Sequence, residues 1–273
     1  MGGSEKAVAA AQVKAMRYGD VSVDLDGHVA LVELHRPPHN FFDRELIGNL
    51  ADALEGLDRE PRCRALVLAS EGKSFCAGAD FSPSGSEGGE LESVRAGRLY
   101  EQAIRLFSTR KPVVAAVQGA AVGGGLGLAL TADFRVVTKE ARFSANFAKL
   151  GLHPGFGLTH TLPRLIGTQR ATLMFYTGRR ISGEQAVEWG LADVLTSAEL
   201  LRERARKLAG EIAEGAPLAV ESVRATLRRG LADAVKASLE HELGEQTRLS
   251  RTEDHKEGIR AVNERRPGQF QGR

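Results

Sequence analysis

VAAVQGAAVGGGLGLALTAD, residues 114–133, decides the fold. A short apolar run ends in glycines, and the glycines open an alanine-rich segment of helical character. This is the pattern of a strand, a tight turn and a buried helix start. Glycines there let backbone N–H groups come close to a ligand, with the positive end of a helix behind them. A second stretch, KSFCAGAD at residues 73–80, also follows a β-type run, residues 65–70, and also exposes small residues. Backbone donors from two such turns can hold one oxygen atom between them.

Outward from these turns, the chain alternates strands and helices. Residues 1–17 read as a loose, partly helical tail. Residues 21–26 alternate with period two, Gly27 and His28 make a turn, and residues 29–34 return, which predicts a β-hairpin. Pro37 and Pro38 stop the second strand. Residues 43–58 carry a helical stripe of Leu46, Ile47, Leu50, Ala53, Leu54 and Leu57, with Asp43 as the cap. Residues 65–69 predict a buried strand and 81–90 a mobile loop. A helix over 91–108 and strands over 112–117 and 133–137 follow, with residues 142–144 expected to pair beside the last of these. The order implies a mainly parallel sheet with crossover helices. From Gly157 onward the chain turns helical. Ser182 and Gln185 form a capping-box pattern opening a helix to Trp189, a short strand falls within 191–195, and helices are expected over 198–213, 217–229, 232–250 and 253–264.

The chain has 273 residues, 42% of them hydrophobic, with 37 basic against 35 acidic side chains. Its charge balance gives no reason to expect nucleic acid or a membrane surface as partner. No apolar run approaches the roughly 20 residues of a membrane span, and the first residues lack the apolar core of a secretory signal. A cytoplasmic protein with reduced Cys63 and Cys76 is the simplest account. There is no dinucleotide or phosphate-binding glycine fingerprint, no nucleophile elbow, and no zinc-ligand spacing around His241 or the cysteines. No metal is expected.

With CAGAD at 76–80, the GGG turn at 123–125, LGLHPG at 150–155, LPRLIG at 162–167 and TGRRISGEQAVEWGL at 177–191, the chain resembles the crotonase superfamily of enoyl-CoA hydratases and isomerases. The motifs run in family order from about residue 21 to residue 260. The resemblance implies an α/β fold, a ββα spiral core over 18–197 and a C-terminal helical trimerisation region over 198–273. It implies a homotrimer or dimer of trimers acting in acyl-CoA metabolism, with no cofactor beyond the coenzyme A of the substrate. The N–H groups of Ala79 and Gly124 would form an oxyanion hole for the thioester carbonyl. Backbone near Phe75, Ala77 and Ala79 would face the coenzyme, and Arg36 would contact its phosphates.

A hydratase of this family carries two glutamates, one to activate water and one to exchange a proton at C2. Those positions hold Gly127 and Phe147 here, and neither residue exchanges protons. Gly155 occupies the place of the aspartate used by dienoyl-CoA and ring isomerases and by 4-chlorobenzoyl-CoA dehalogenases, whose glycine turn this one also resembles. His153 is the leading substitute acid or base, with His160 behind it; the blander reading of each is an ordinary loop or helix residue. Asn146 could orient a water or simply shape a turn. Asp80 reads as structural, and Glu87, Glu90, Glu92, Tyr100 and Glu101 as catalytic extras or plain surface. Three outcomes stay open: a CoA-thioester enzyme with a non-standard acid or base, a dehalogenase- or hydrolase-like thioester enzyme, and a non-catalytic acyl-CoA binder.

Overall fold

A computed structural model of the protein describes residues 16–80 and 92–273. The loop expected over 81–90, with Glu87 and Glu90, and the tail before Met16 lie outside these residues. The first elements are β1 (Met16–Tyr18), β2 (Val21–Asp26), β3 (Val29–Leu34), α1 (Arg44–Arg59), β4 (Ala65–Ser70), α2 (Glu92–Phe107) and β5 (Val113–Val117). They lead into β6 (Ala120–Val122), α3 (Gly124–Ala129), β7 (Phe134–Thr138), β8 (Arg142–Ser144) and a single 3-10 turn, Asn146–Leu150. Then follow α4 (Leu158–Thr177), β9 (Arg180–Ser182), α5 (Gly183–Glu188), β10 (Val194–Thr196), α6 (Leu201–Ala213), α7 (Pro217–Leu227), α8 (Leu231–Leu249) and α9 (Glu253–Asn263).

Seven strands form one sheet in the order β1-β2-β3-β4-β5-β7-β10. The hairpin at its edge is antiparallel, and every pairing from β3 to β10 is parallel. Strands β4 and β5 are buried along their whole length, as a central parallel strand covered on both faces must be. Side chains alternate between the faces. Ala65, Val67, Ala69, Val114 and Ala116 pack on the Leu201, Ala205, Ala209, Ala213 stripe of α6. Leu66, Leu68, Ala115 and Val117 join the larger core with α1 and α2. The alanines of α6 recur every fourth residue and let this helix lie close to the sheet. It is therefore a layer packed on the sheet.

Local signals act as read. The Asp43 carboxylate accepts from the Leu46 N–H at 2.8 Å and caps α1, and Ser182 and Gln185 close a reciprocal capping box on α5. Two readings are corrected. Met16–Tyr18 is a strand paired with β2, so residues 16 and 17 do not belong to a frayed tail. Strand β8 does not pair beside β7; it joins a second, three-stranded sheet, parallel to β6 and antiparallel to β9. Among the described residues no helix is long and apolar enough to cross a membrane.

Candidate active site

The second sheet exists to meet the segment 74–78. On one side that segment is held by the chain after β3: Ser74 N–H donates to the Pro38 carbonyl, Ala77 N–H to His39, and Phe42 N–H to Gly78, at 3.0–3.2 Å. On the other side Cys76 bridges Ala121 in parallel. Its N–H donates to the Ala120 carbonyl at 3.0 Å, and its own carbonyl accepts from Val122 at 3.1 Å. Fully buried Asn40 fixes the approach, donating from Nδ2 to the carbonyls of Glu71 and Ser74 at 2.7 and 2.8 Å. From the far end, Gln118 Nε2 sits 3.1 Å from the carbonyls of Ser70, Gly72 and Ser74.

This pairing delivers the two glycine turns to one place. A β-carbon on Gly125 would overlap the Cys76 carbonyl, so only glycine allows the approach. Gly78, at φ 87°, would aim a β-carbon 2.8 Å from the Val122 carbonyl and 3.7 Å from Gly124 N. Gly123 N–H is used by the Ser144 carbonyl at 2.8 Å. The Ala79 and Gly124 N–H groups have no acceptor among the described residues. Gly124 begins α3, where a helix leaves its first N–H groups unpaired. Two such donors can hold one oxygen and stabilise charge growing on it.

Aromatic rings wall the turns. A β-carbon on Gly124 would overlap the ring of Phe42, and one on Gly127 would lie 2.7–3.0 Å from Phe156. Phe42 and Phe156 are themselves buried and tilted together, ring centres 5.4 Å apart. Beside Gly123 stand Asn146 Oδ1 at 3.6 Å and Phe147 Cζ at 3.7 Å from the same virtual atom. Position 127 thus lacks a side chain because Phe156 fills the volume one would need.

The loop carrying Phe156 is pinned from α8. Gln246 Nε2 donates to the His153 carbonyl at 3.0 Å, and Tyr100 Oη donates to Gln246 Oε1 at 2.8 Å. Gly155 has no room for a β-carbon because the Tyr100 hydroxyl stands there. Glu242, fully buried, accepts from Gly157 N–H, Thr159 N–H and the Thr159 hydroxyl at 2.6–3.0 Å and so caps α4 from a distance. Burial pushes its carboxyl above the usual range against the pull of those donors. Burial, with Glu242 adding to it, also raises Tyr100 and keeps its phenol protonated.

Other sequence-derived candidates fare differently. His153 bonds Nδ1 to the Pro154 carbonyl at 2.8 Å and packs edge-on against His241, 5.7 Å between centres. Those contacts are to its own loop and to α8. His160 is held toward its neutral form by burial and then by Arg164. Arg36 has partners within the protein. Its guanidinium is taken by Asp20 at 2.6 Å and Asp43 at 2.7 Å, tying the hairpin to the cap of α1. Burial disfavours its charge, but the two carboxylates more than offset this and raise its pKa. Phe75 is fully buried, Ala77 half-buried and Ala79 exposed, so this strip reaches the surface at Ala79. Glu101 is on the surface. Burial pushes the free thiols up, Cys63 to about 11 and Cys76 to about 12, which leaves no thiolate nucleophile at neutral pH. Among the described residues no three His, Cys, Asp or Glu side chains stand together as metal ligands.

Sequence reading missed Asn40, Phe42, Gln118, Phe156, Glu242 and Gln246. Phe156 carried one usable signal, its position between Gly155 and Gly157, where the backbone turns left-handed at φ 60° and 70°.

Comparison with known proteins gives one consistent answer. The family model described as enoyl-CoA hydratase/isomerase matches residues 24–273. A probable enoyl-CoA hydratase of Bacillus subtilis (strain 168) is 34% identical over 258 residues, covering 92% of this chain and 98% of that one. A probable enoyl-CoA hydratase of Mycobacterium tuberculosis is 38% identical over 236 residues, covering 85% and 91%. The crystal structure of an enoyl-CoA hydratase/isomerase from Pseudoalteromonas atlantica superposes with a TM-score of 0.82 at 28% identity, covering 92% of this chain and all of that one.

Proposed function

The chain belongs to the enoyl-CoA hydratase/isomerase family within the crotonase superfamily, and on that premise we propose that it acts on an acyl-CoA thioester whose carbonyl oxygen is held by the N–H groups of Ala79 and Gly124. The observation that carries this reading is the Cys76–Ala121 bridge, which sets the two turns side by side with neither donor taken by a described residue. Donation from two N–H groups stabilises an enolate or tetrahedral oxyanion, each donor contributing roughly 3–4 kcal/mol.

The reaction we propose is not standard hydration. The positions of the two family glutamates hold Gly127 and Phe147, and the volume beside Gly127 belongs to Phe156. A nucleophilic aspartate at Gly155 is likewise replaced, with the Tyr100 hydroxyl in its place. What the site retains is a polarised thioester against an aromatic wall. That suits binding and polarising an apolar acyl thioester; addition of water and a double-bond shift alike also need a proton-transfer group, which neither Gly127 nor Phe147 supplies. No resident cofactor is required, since coenzyme A arrives with the substrate. The assembly we propose is a trimer or dimer of trimers; exposed Leu218, Val223 and Leu227 on α7 suit burial against a second copy. A monomeric mass by light scattering would refute it.

The test of function is incubation with crotonyl-CoA, a 3-enoyl-CoA and an aryl-CoA, products read by mass spectrometry. Rapid hydration of crotonyl-CoA would contradict the reading of positions 127 and 147. For whichever thioester is consumed, Ala79→Pro removes one donor and should lower kcat about 10²- to 10³-fold. Undiminished turnover by the folded variant would overturn the oxyanion assignment.

A further inference from the structure

Three rings face the paired turns, and one polar side chain stands among them. Phe42 lies against Gly124, Phe156 against Gly127, and Phe147 against Gly123, where it shares the position with Asn146. Asn146 is half-buried, and its amide makes no hydrogen bond with any described residue. Its place is firmly set. It opens the 3-10 turn two residues after Ser144, whose carbonyl holds the Gly123 N–H at 2.8 Å. Its backbone is thus tied, two residues away, to the same turn that offers the Gly124 N–H. A primary amide offers two donors and an acceptor, and in this half-buried position beside the rings they are open to a bound group. A bound polar group that met them would gain a hydrogen bond within an otherwise apolar wall.

We infer that Asn146 is a specificity-determining residue, its amide hydrogen-bonding a polar substituent carried close to the thioester on an otherwise apolar or aryl acyl chain. The inference rests on the acyl-CoA reading above. With the carbonyl oxygen at Gly124 N–H, a group flanking Gly123 is about 3.8 Å further along the backbone. A contact at that offset from the carbonyl oxygen falls on the first few carbons of the acyl chain, and we assign it to a substituent at C2 or C3. Either end of the amide can serve, accepting from a hydroxyl or donating to an oxo group. Proton exchange is outside its chemistry, so it orients and selects without acting as acid or base.

The experiment compares matched thioesters by calorimetric titration: 3-hydroxybutyryl-CoA with butyryl-CoA, and 3-hydroxy-3-phenylpropionyl-CoA with 3-phenylpropionyl-CoA. The wild type should bind the hydroxylated member of each pair about 5- to 10-fold more tightly, the range of one neutral hydrogen bond. Asn146→Ala should reduce that preference to less than about twofold while leaving butyryl-CoA affinity unchanged. Asn146→Leu keeps the side-chain volume and removes the amide, and gives the same reading if the alanine variant fails to fold. Equal wild-type affinities within each pair, or a preference that survives in Asn146→Ala, would overturn the inference. Because butyryl-CoA is read separately, a protein that binds it without preference refutes Asn146 only. A protein that binds none of the four thioesters refutes the acyl-CoA reading itself.

Discussion

On one side of the site, residues 74–78 and 119–125 meet through their backbones; on the other, positions 127, 146–147 and 155–156 are shaped by side chains. The first contact is a strand bridge with hydrogen bonds of 3.0–3.1 Å and glycines that admit no β-carbon. The second is a wall of Phe42, Phe147 and Phe156, with Asn146 beside them and Tyr100 behind Gly155. A backbone cradle tolerates little change, because carbonyls in paired strands cannot step aside. A side-chain wall can be rebuilt one residue at a time. The difference fits the reading proposed above, a backbone cradle kept beside a wall that holds glycine and phenylalanine at positions 127 and 147.

The sharpest way to break this comparison is to add one methyl group to the cradle. In Gly125→Ala the new β-carbon overlaps the Cys76 carbonyl, and there is no flexible side chain to move. The bridge must part, so we expect a loss of at least about 3 kcal/mol in urea-derived stability, with turnover abolished. A variant as stable and active as the wild type would show that the turns do not depend on close backbone approach.

The wall should respond more mildly and in a coupled way. Gly127→Ala places its β-carbon 2.7–3.0 Å from Phe156, and overpacking of this kind costs about 1–3 kcal/mol. In a Phe156→Gly background, which also relieves the positive φ of residue 156, the same change should cost less than half as much. Equal costs in the two backgrounds, from equilibrium denaturation, would mean that Phe156 does not set the identity of residue 127.

The same contrast governs what could be read from the chain. Glycine spacing, the Asp43 cap and period-two runs are local, and they located the turns, α1 and strands β2 to β5 and β7 to within a residue or two, while β1 reads as tail and β10 starts three residues later than expected. Strands β6, β8 and β9 have three residues each, too few to show a period, so β8 was expected beside the wrong neighbour. The wall was harder still, because its members converge from far apart. Tyr100 meets Gln246 across 146 positions, and Glu242 reaches Gly157 across 85. No spacing rule links such pairs. Positions 127 and 147 could be seen to lack carboxylates, but what replaces them came only from packing.

Arg36 supplies the smallest effect and sharpens the comparison from outside the site. An arginine beside a turn invites assignment to the phosphates of coenzyme A. Its Nε and one terminal nitrogen are instead committed to Asp20 and Asp43, with roughly a quarter of the side chain exposed. Two partly solvated ion pairs contribute little, and Arg36→Gln should cost under about 1 kcal/mol. Raised salt should shrink that difference further, since both carboxylates are near half exposed. If the guanidinium serves the fold alone, butyryl-CoA affinity stays within about twofold of the wild type. A tenfold loss of affinity for butyryl-CoA, with stability unchanged, would return Arg36 to the binding surface and require that it leave both carboxylates when the thioester binds.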